Sequence, residues 1–222
     1  MNRTYWASGT AVLLALAFAV AATVAAASGS EGAGAPARAP GLYSPDAGFA
    51  RDMAVHHQQA VEMSFIVRDR TRDEPVRGLA YDIANTQANQ RGMLLGWLDL
   101  WGLPKVVADE QPMSWMGSTG HDGHSGHDMG GATTKPGALM PGMATKEELA
   151  QLGAAEGRDA EVLYLQLMTD HHKGGVAMAR GCATQCGTPA ERALAQGMVE
   201  AQESELTLMA DMLKQRGAAP RG

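Results

Sequence analysis

The chain has 222 residues, of which 45% are hydrophobic and only 5% are aromatic, and its formal net charge is −6. Because Ala, Leu, Met and Gly supply most of the apolar bulk, the composition favours helices packed closely on helices. The acidic balance, with no basic run outside the extreme ends of the sequence, argues against nucleic acid as a partner.

The N-terminus has the pattern of an export signal. Asn2-Arg3 precedes an unbroken run of small and apolar residues that ends in an Ala-x-Ala cleavage motif at Ala27. Residues 1–27 are therefore predicted to be a signal peptide; an uncleaved N-terminal anchor is the alternative, since the run is about as long as a membrane span. Both interpretations predict an exported protein, periplasmic or extracellular, and the anchor would tether it to the outer face of the cytoplasmic membrane.

Two helices are predicted in residues 44–104, after a Gly/Ala/Pro linker over residues 28–43 that cannot bury a core. Ser44-Pro45 is an N-cap followed by proline at the first helical position, and an apolar stripe with helical spacing follows it. The stripe breaks at Asp73, which can cap a second helix that ends near Gly102. This stretch is the first helical hairpin.

The second hairpin is predicted in residues 145–217. Residues 105–144, which precede it, are rich in Gly, Met and His and have no helical period, so we predict a mobile insert. Thr145 opens a capping box, from which a short helix leads into a long one. Thr188 and Glu191 have the spacing of another capping box, which starts the last helix.

The two hairpins are copies of one another. Adding 115 to a residue number in the first gives its counterpart in the second without a gap, so that Met53 corresponds to Met168 and Gly102 to Gly217. A lone hairpin cannot cover its own apolar stripe, and two hairpins should therefore pair. The sequence predicts an all-α fold, a four-helix bundle built from two repeated helical hairpins with the insert between them.

A pair of adjacent histidines lies on the first long helix of each hairpin. In both copies one Met lies three residues before the pair and another six residues after it, and at about 100° per residue these side chains share one helix face. The candidate metal ligands of the bundle are His56, His57, Met53, Met63, His171, His172, Met168 and Met178. Imidazole and thioether form a soft, neutral set that selects copper, with Cu(I) favoured over Cu(II). The alternative is that these residues only fill the core.

Small and polar residues beside the motif support the metal interpretation. Gly174-Gly175 lies inside a helix, where each Gly costs about 1 kcal/mol relative to Ala. Room for a close helix crossing, or for a metal beside His171, would offset that cost. Gln87 and Gln202 are matched polar residues that can hydrogen-bond a ligand histidine; a plain surface or inter-helix role is the alternative.

The insert carries a second set of candidate ligands. Short His-rich tracts are typical of metal binding, and paired Met residues in a flexible segment suit Cu(I). These secondary candidates are His121, His124, His127, Met129, Met113, Met116, Met140 and Met143. A solvated linker of accidental composition is the alternative. All seven His of the chain lie in the helix motifs or in this insert, which supports metal binding.

Cys182 and Cys186 are the only cysteines, one helical turn apart and just before a predicted helix boundary. Such a pair in an oxidising compartment favours a disulfide. Alpha carbons at positions i and i+4 are about 6 Å apart, which permits the bond if the helix end relaxes. Free thiolates that bind copper are the alternative.

Written out as a repeat, the chain resembles the bacterial domain-of-unknown-function 305 family. The resemblance is carried by the stretches Phe49 to Met63 and, more completely, Leu149 to Ala179, and it extends from about Ser44 to Arg216 apart from the insert. It implies a ferritin-like four-helix bundle, exported or periplasmic, in a family of which some members bind copper in copper resistance. By that likeness the ligands in this chain are His56, His57, Met63, His171, His172 and Met178.

Three functions compete for this fold. A non-catalytic protein that sequesters copper in the cell envelope, or passes it to a delivery partner, suits the donor set. A di-iron oxidase needs Glu-x-x-His on paired helices, whereas Glu62 follows His57 and its repeat counterpart is Ala177. A scaffold or interaction module, in which the histidines only pack, is the third. No nucleophile-and-base set or phosphate-cradling glycine loop is present in the sequence, so we assign no catalytic residue.

Overall fold

The computed structural model describes residues 38–117 and 134–221. These ranges contain α-helices and one short 3₁₀ helix and no strand, which confirms the predicted all-α class. The elements in chain order are α1 (Pro45–Arg70), α2 (Glu74–Trp101), the 3₁₀ helix Ser114–Gly117, α3 (Lys146–Ala154), α4 (Gly157–Gln185) and α5 (Pro189–Gln215). The predicted signal peptide lies outside the described residues, as do His121, His124, His127 and Met129.

The pairing of the four long helices is consistent with a four-helix bundle. α1 packs on α2 and α4 packs on α5, so each predicted hairpin is present, and α1 also packs on α4 to join the two. The short α3 packs against both α1 and α4. Within the described ranges no helix is both long enough and apolar enough to cross a membrane.

Local sequence signals account for most helix boundaries. Ser44 and Asp73 cap α1 and α2, each accepting a backbone hydrogen bond with its side chain. Gly102 ends α2 in the left-handed conformation, with φ of 65°. Thr145 and Glu148 form the predicted capping box at the start of α3. These signals act over three or four residues, which is why the sequence alone reveals them.

The predicted capping box at the start of α5 is wrong. Thr188 occupies the N-cap position, but its side chain makes no capping hydrogen bond. Asp46, in the first turn of α1, instead accepts hydrogen bonds from the backbone N–H of Gly187 at 2.9 Å and of Thr188 at 2.7 Å. Because Asp46 already uses the Thr188 amide, Glu191 does not turn back toward it and is fully buried.

The core contains two apolar clusters, and each contains two methionines of the repeated motif. Met53 and Met178 belong to one cluster, and Met63 and Met168 belong to the other. Each cluster thus combines a Met that precedes one histidine pair with a Met that follows the other pair. This pairing means that α1 and α4 run antiparallel and cross at their histidines, with all four methionines fully buried.

The predicted mobile insert has ends that pack on the helices instead of extending into solvent. Trp115 of the 3₁₀ helix is buried, and its Nε1 donates a hydrogen bond to the Asp52 carboxylate at 2.9 Å. The indole lies against Gly48, where a Cβ atom would be only 2.5 Å from it. At the other end, Met140 and Met143 are buried in the core. Apolar side chains in both described ends explain why they pack despite their lack of a helical period.

Candidate metal centre

The crossing of α1 and α4 brings the two histidine pairs together. His56, His57, His171 and His172 are all at most 1% exposed. The rings of His56 and His171, which are repeat counterparts, stack with centroids 3.8 Å apart and planes at 33°. The two copies of the motif therefore meet at one buried place in the fold.

Two of the histidines contact backbone carbonyl groups through Nε2. The Nε2 of His171 lies 3.0 Å from the carbonyl oxygen of His56, across the helix crossing. The Nε2 of His56 lies 3.4 Å from the carbonyl oxygen of Pro141, in the segment that precedes α3. A carbonyl oxygen can only accept a hydrogen bond, so the proton of both rings is on Nε2.

The other two histidines contact side chains of the neighbouring helices in the same way. His57 Nε2 lies 2.9 Å from the amide oxygen of Gln90 on α2, and His172 Nε2 lies 2.6 Å from a carboxylate oxygen of Glu205 on α5. Gln90 and Glu205 are themselves repeat counterparts. An acceptor behind Nε2 is the usual arrangement around a metal-ligating histidine, because it orients the ring and raises the basicity of the opposite nitrogen.

The opposite ring nitrogen, Nδ1, lacks a hydrogen-bond partner in all four histidines within the described part of the chain. With the proton on Nε2, each Nδ1 carries a free lone pair in a buried position. Leaving a buried acceptor unsatisfied costs about 1–3 kcal/mol. Four such lone pairs around one helix crossing are a poor arrangement for stability and a suitable one for binding a metal that prefers imidazole.

Burial keeps the rings of His56, His57 and His171 neutral. Loss of solvation, with repulsion from neighbouring histidines, lowers the pKa of both His56 and His57 to about 3. The same causes hold the pKa of His171 well below its usual value. At neutral pH, protons therefore do not compete with a metal ion for these three nitrogens.

The spacing of the rings limits how many can bind one ion. In the residues that the structure describes, no three imidazoles offer nitrogens within 4.8 Å of one another. An ion bound without movement of the side chains thus has at most two imidazole ligands. Met53 and Met178 on one side of the crossing, and Met63 and Met168 on the other, are the soft groups that could complete its coordination.

A short segment that we call the strap, residues 140–144, lies across α1 and α4. Gln59 holds it with two hydrogen bonds to Ala144, donating to the carbonyl oxygen at 2.9 Å and accepting from the amide at 2.7 Å. On α4 the strap rests on Gly174, where a Cβ atom would overlap the carbonyl oxygen of Pro141. The strap therefore supplies the acceptor for His56, and Gly174 provides the space that lets it approach.

The second glycine of α4 packs against one of the matched glutamines. Gly175 accommodates the side chain of Gln202, whose Oε1 would be 2.5 Å from an added Cβ. Gln87 and Gln202 are buried with unsatisfied amide oxygens, and Gln90 and Glu205 provide the acceptors for the histidines instead. Of the two roles considered for Gln87 and Gln202, hydrogen bonds to the ligand histidines are not observed, and Gln202 packs against Gly175 between α4 and α5, which agrees with the inter-helix alternative.

The described candidates of the insert lie in two places. Met140 and Met143 are buried in the strap, within the first core cluster. Met113 and Met116 pack at the edge of that cluster, and the thioether of Met116 lies against Gly181. These four methionines fill apolar space in the structure, and their role as metal ligands stays a prediction.

The cysteine prediction agrees with the structure. Cys182 and Cys186 form a disulfide at the end of α4, with alpha carbons 4.8 Å apart. The helix ends at Gln185, so the second cysteine lies just beyond it. The sulfurs are thus bonded to each other and are not free thiolate ligands.

Comparison with known proteins places this fold in a family. The family model described as domain of unknown function (DUF305) matches residues 46–213. A predicted secreted DUF305 protein from Streptomyces coelicolor is 59% identical, with a TM-score of 0.71 over 82% of this chain and 99% of that one. A DUF305 fragment from Deinococcus radiodurans is 27% identical, with a TM-score of 0.61 over 79% of this chain and 99% of the fragment.

A more distant structure shares the fold and contains metal. CopM in its Cu(I)-bound form is 18% identical, with a TM-score of 0.56 over 77% of this chain and 96% of CopM. Structures of CopM also exist in Cu(II)-bound and Ag-bound forms. No curated protein matches the sequence. The family match covers both hairpins and their histidine motifs, and this chain therefore belongs to the DUF305 family.

Proposed function

We propose that this protein binds copper, Cu(I) in preference to Cu(II), and sequesters it outside the cytoplasm. The imidazole donors are His56, His57, His171 and His172, and the thioether donors are Met53, Met63, Met168 and Met178. The observation that carries the proposal is the buried Nδ1 atom of each histidine, which has no partner in the described residues while Nε2 contacts an acceptor. The copper-bound and silver-bound forms of CopM, which shares the fold, support it.

Charge favours the monovalent ion. None of the proposed donors is an anionic side chain, and the carboxylate that contacts one of them is that of Glu205, beside His172. Transfer of an ion from water into such an interior costs more for two charges than for one, unless protein charges compensate it. Soft thioethers also select Cu(I). Zn²⁺ and Cu(II) should therefore bind more weakly than Cu(I) at this crossing.

Two other functions fit the site less well. A di-iron oxidase needs carboxylates from paired helices in the bundle interior, whereas Glu62 is exposed and its counterpart is Ala177. A scaffold would gain nothing from four buried lone pairs without partners, because each one lowers the stability of the fold. The test described next can distinguish an oxidase and a scaffold from a copper-binding protein.

The test is an anaerobic competition titration with Cu(I) and a chromophoric chelator, repeated with Ag(I), Cu(II), Zn²⁺ and Fe²⁺. The bundle variant is His56→Ala/His171→Ala, and the matched variant replaces the insert residues His121, His124 and His127 with Ala. We expect the bundle variant to lose the tightest Cu(I) site and the insert variant to retain it, with helical circular dichroism unchanged in both.

Three results would contradict the proposal. If the bundle variant binds Cu(I) as tightly as wild type and the insert variant binds none, the helix crossing is not the site. If no metal binds, the histidines only pack, as in a scaffold. Oxygen-dependent oxidation of Fe²⁺ by the wild-type protein would indicate an oxidase.

A further inference from the structure

A second group of soft and acidic side chains lies at the end of α4, away from the histidines. We call it the disulfide corner: Cys182, Cys186, Glu191 and Asp46. Cys182 follows His172 by ten residues of continuous helix, which is about 15 Å along the axis. The corner is therefore remote from the histidines, although Met178, a proposed thioether donor, lies one helical turn before Cys182.

Glu191 is the unusual member of the corner. Its side chain is fully buried, and neither carboxylate oxygen has a hydrogen-bond donor in the described part of the chain. The backbone amide that would satisfy it, that of Thr188, donates to Asp46 instead. A buried carboxyl group without a donor destabilises the fold, so helix capping does not account for Glu191.

Glu191 is held beside the disulfide. One ligand atom from each of Cys182, Cys186 and Glu191 lies within 4.8 Å of the other two, and no other such trio of His, Cys, Asp or Glu occurs in the described ranges. In a tetrahedral zinc site with metal–ligand bonds of about 2.0–2.3 Å, neighbouring ligand atoms are about 3.3–3.8 Å apart. Small movements of three side chains would therefore form three corners of a tetrahedron.

The charges around the corner suit a divalent ion. Two thiolates and a carboxylate are the ligand types that Zn²⁺ accepts. The Arg192 guanidinium donates hydrogen bonds to the carbonyl oxygens of Cys186 at 2.9 Å and Gly187 at 3.1 Å, which puts another positive charge beside the anionic ligands. Asp46 is already occupied by two backbone amides, so Glu191 remains as the oxygen ligand.

We propose that the disulfide corner is a redox-gated site for a thiophilic divalent ion of the Zn²⁺ type, with Cys182, Cys186 and Glu191 as ligands. While the disulfide is intact the sulfurs cannot act as thiolates. A dithiol reductant opens the site: its two thiols are oxidised to a disulfide, and two electrons and two protons pass to Cys182 and Cys186 as their S–S bond breaks. Zn²⁺ then binds the sulfurs as thiolates and Glu191 as a carboxylate, and the two thiol protons and the carboxyl proton of Glu191 are released to solvent.

The experiment compares oxidised and reduced protein in the His56→Ala/His171→Ala background, so that failure of the copper site does not affect it. The protein is reduced anaerobically with dithiothreitol, desalted, and titrated with Zn²⁺ against a zinc indicator. We expect the reduced protein to bind one equivalent of Zn²⁺ that the oxidised protein does not bind. With Cd²⁺ as the probe, the reduced protein should show thiolate-to-metal charge-transfer absorption.

Two substitutions test the ligands. Glu191→Gln should weaken Zn²⁺ binding by the reduced protein at least tenfold, and the matched control Glu200→Gln, an exposed residue of the same helix, should leave it unchanged. Cys182→Ser/Cys186→Ser should abolish the site.

Four results would overturn the proposal. They are equal Zn²⁺ binding before and after reduction, wild-type affinity in Glu191→Gln, binding of Cu(I) but not Zn²⁺ by the reduced corner, and loss of helical circular dichroism on reduction alone. The last result counts because the site requires a folded, reduced corner. A Cu(I) affinity that is unchanged in His56→Ala/His171→Ala would refute the copper proposal and leave this one standing.

Discussion

Replacing Gly174 with alanine should detach the strap from α4. The added Cβ atom would overlap the Pro141 carbonyl oxygen and would lie 2.7 Å from its carbonyl carbon and 3.1 Å from the Cα atom of Gly142. All three atoms belong to the backbone, so rotation of a side chain cannot relieve the overlap. The strap must move away from the helix or the helix must bend.

The energetic terms can be compared. Alanine stabilises a helix interior by about 1 kcal/mol relative to glycine. Overpacking of a buried contact costs about 1–3 kcal/mol, and the overlap with Pro141 favours the upper end of that range. If the strap lifts, the two hydrogen bonds between Gln59 and Ala144 are also lost, at about 1 kcal/mol each. We therefore expect Gly174→Ala to lower the free energy of unfolding by about 2–4 kcal/mol.

The measurement is urea denaturation followed by circular dichroism, with Gly197→Ala as the matched control. Gly197 lies inside α5, and an added Cβ would meet no atom within 4 Å. That control should raise the free energy of unfolding by up to about 1 kcal/mol, from helix propensity alone. The two substitutions are chemically identical and should have opposite signs. If Gly174→Ala stabilises the protein as Gly197→Ala does, the strap does not dock on α4.

Three further predictions concern charge and protonation. Glu205→Ala should lower the Cu(I) affinity about 10- to 100-fold, whereas Glu200→Ala should not, as a competition titration will show. The folded pKa of His56 and His57 is depressed to about 3, so their stabilising effect is complete above pH 6.5 and is lost as the pH falls toward 3. Urea denaturation of metal-free protein should show stability falling by about 1.4 kcal/mol per pH unit for each histidine, and a flat profile would contradict their burial. Burial and the Asp46 charge raise the folded pKa of Glu191 from 4.5 to about 9. The contribution of Glu191 to the free energy of unfolding is therefore fully present below pH 4.5 and is lost as the pH rises through 9. Glu191→Gln should therefore gain stability relative to wild type between those values, and equal slopes in the two proteins would count against the raised pKa.

The fold could be predicted because its signals are local or repeated. The caps at Ser44, Asp73 and Thr145 act within one turn, and the repeat places the second hairpin in register with the first. Thr188 and Glu191 have the same local pattern but do not form the box, because Asp46, 142 residues away in the sequence, takes the Thr188 amide that Glu191 would use. Local patterns do not reveal a competitor of that kind.

The candidate site could be predicted only in part. The histidines and methionines were visible as a repeated motif, but their hydrogen-bond partners depend on which helix lies beside each ring. Gln90 and Glu205 each follow their histidine by 33 residues. Because this spacing is equal in the two repeats, the sequence could have identified both partners. They lie three residues after Gln87 and Gln202, respectively. The strap has no helical period, and its place became visible only through its contact with Gly174.

The repeat also explains how one strap can lie across two equivalent helices. Gln59 on α1 and Gly174 on α4 occupy the same repeat position. Gln59 hydrogen-bonds the strap, and Gly174 lacks the side chain that would clash with it. The two repeats thus differ in sequence where the strap docks, and they differ again where Gln90 in the first repeat corresponds to Glu205 in the second. A carboxylate behind a histidine raises its basicity as a ligand more than a neutral amide does. Because Glu205 contacts His172 and Gln90 contacts His57, replacing Glu205 with alanine should weaken Cu(I) binding more than replacing Gln90 does, although the two histidines are copies of one another.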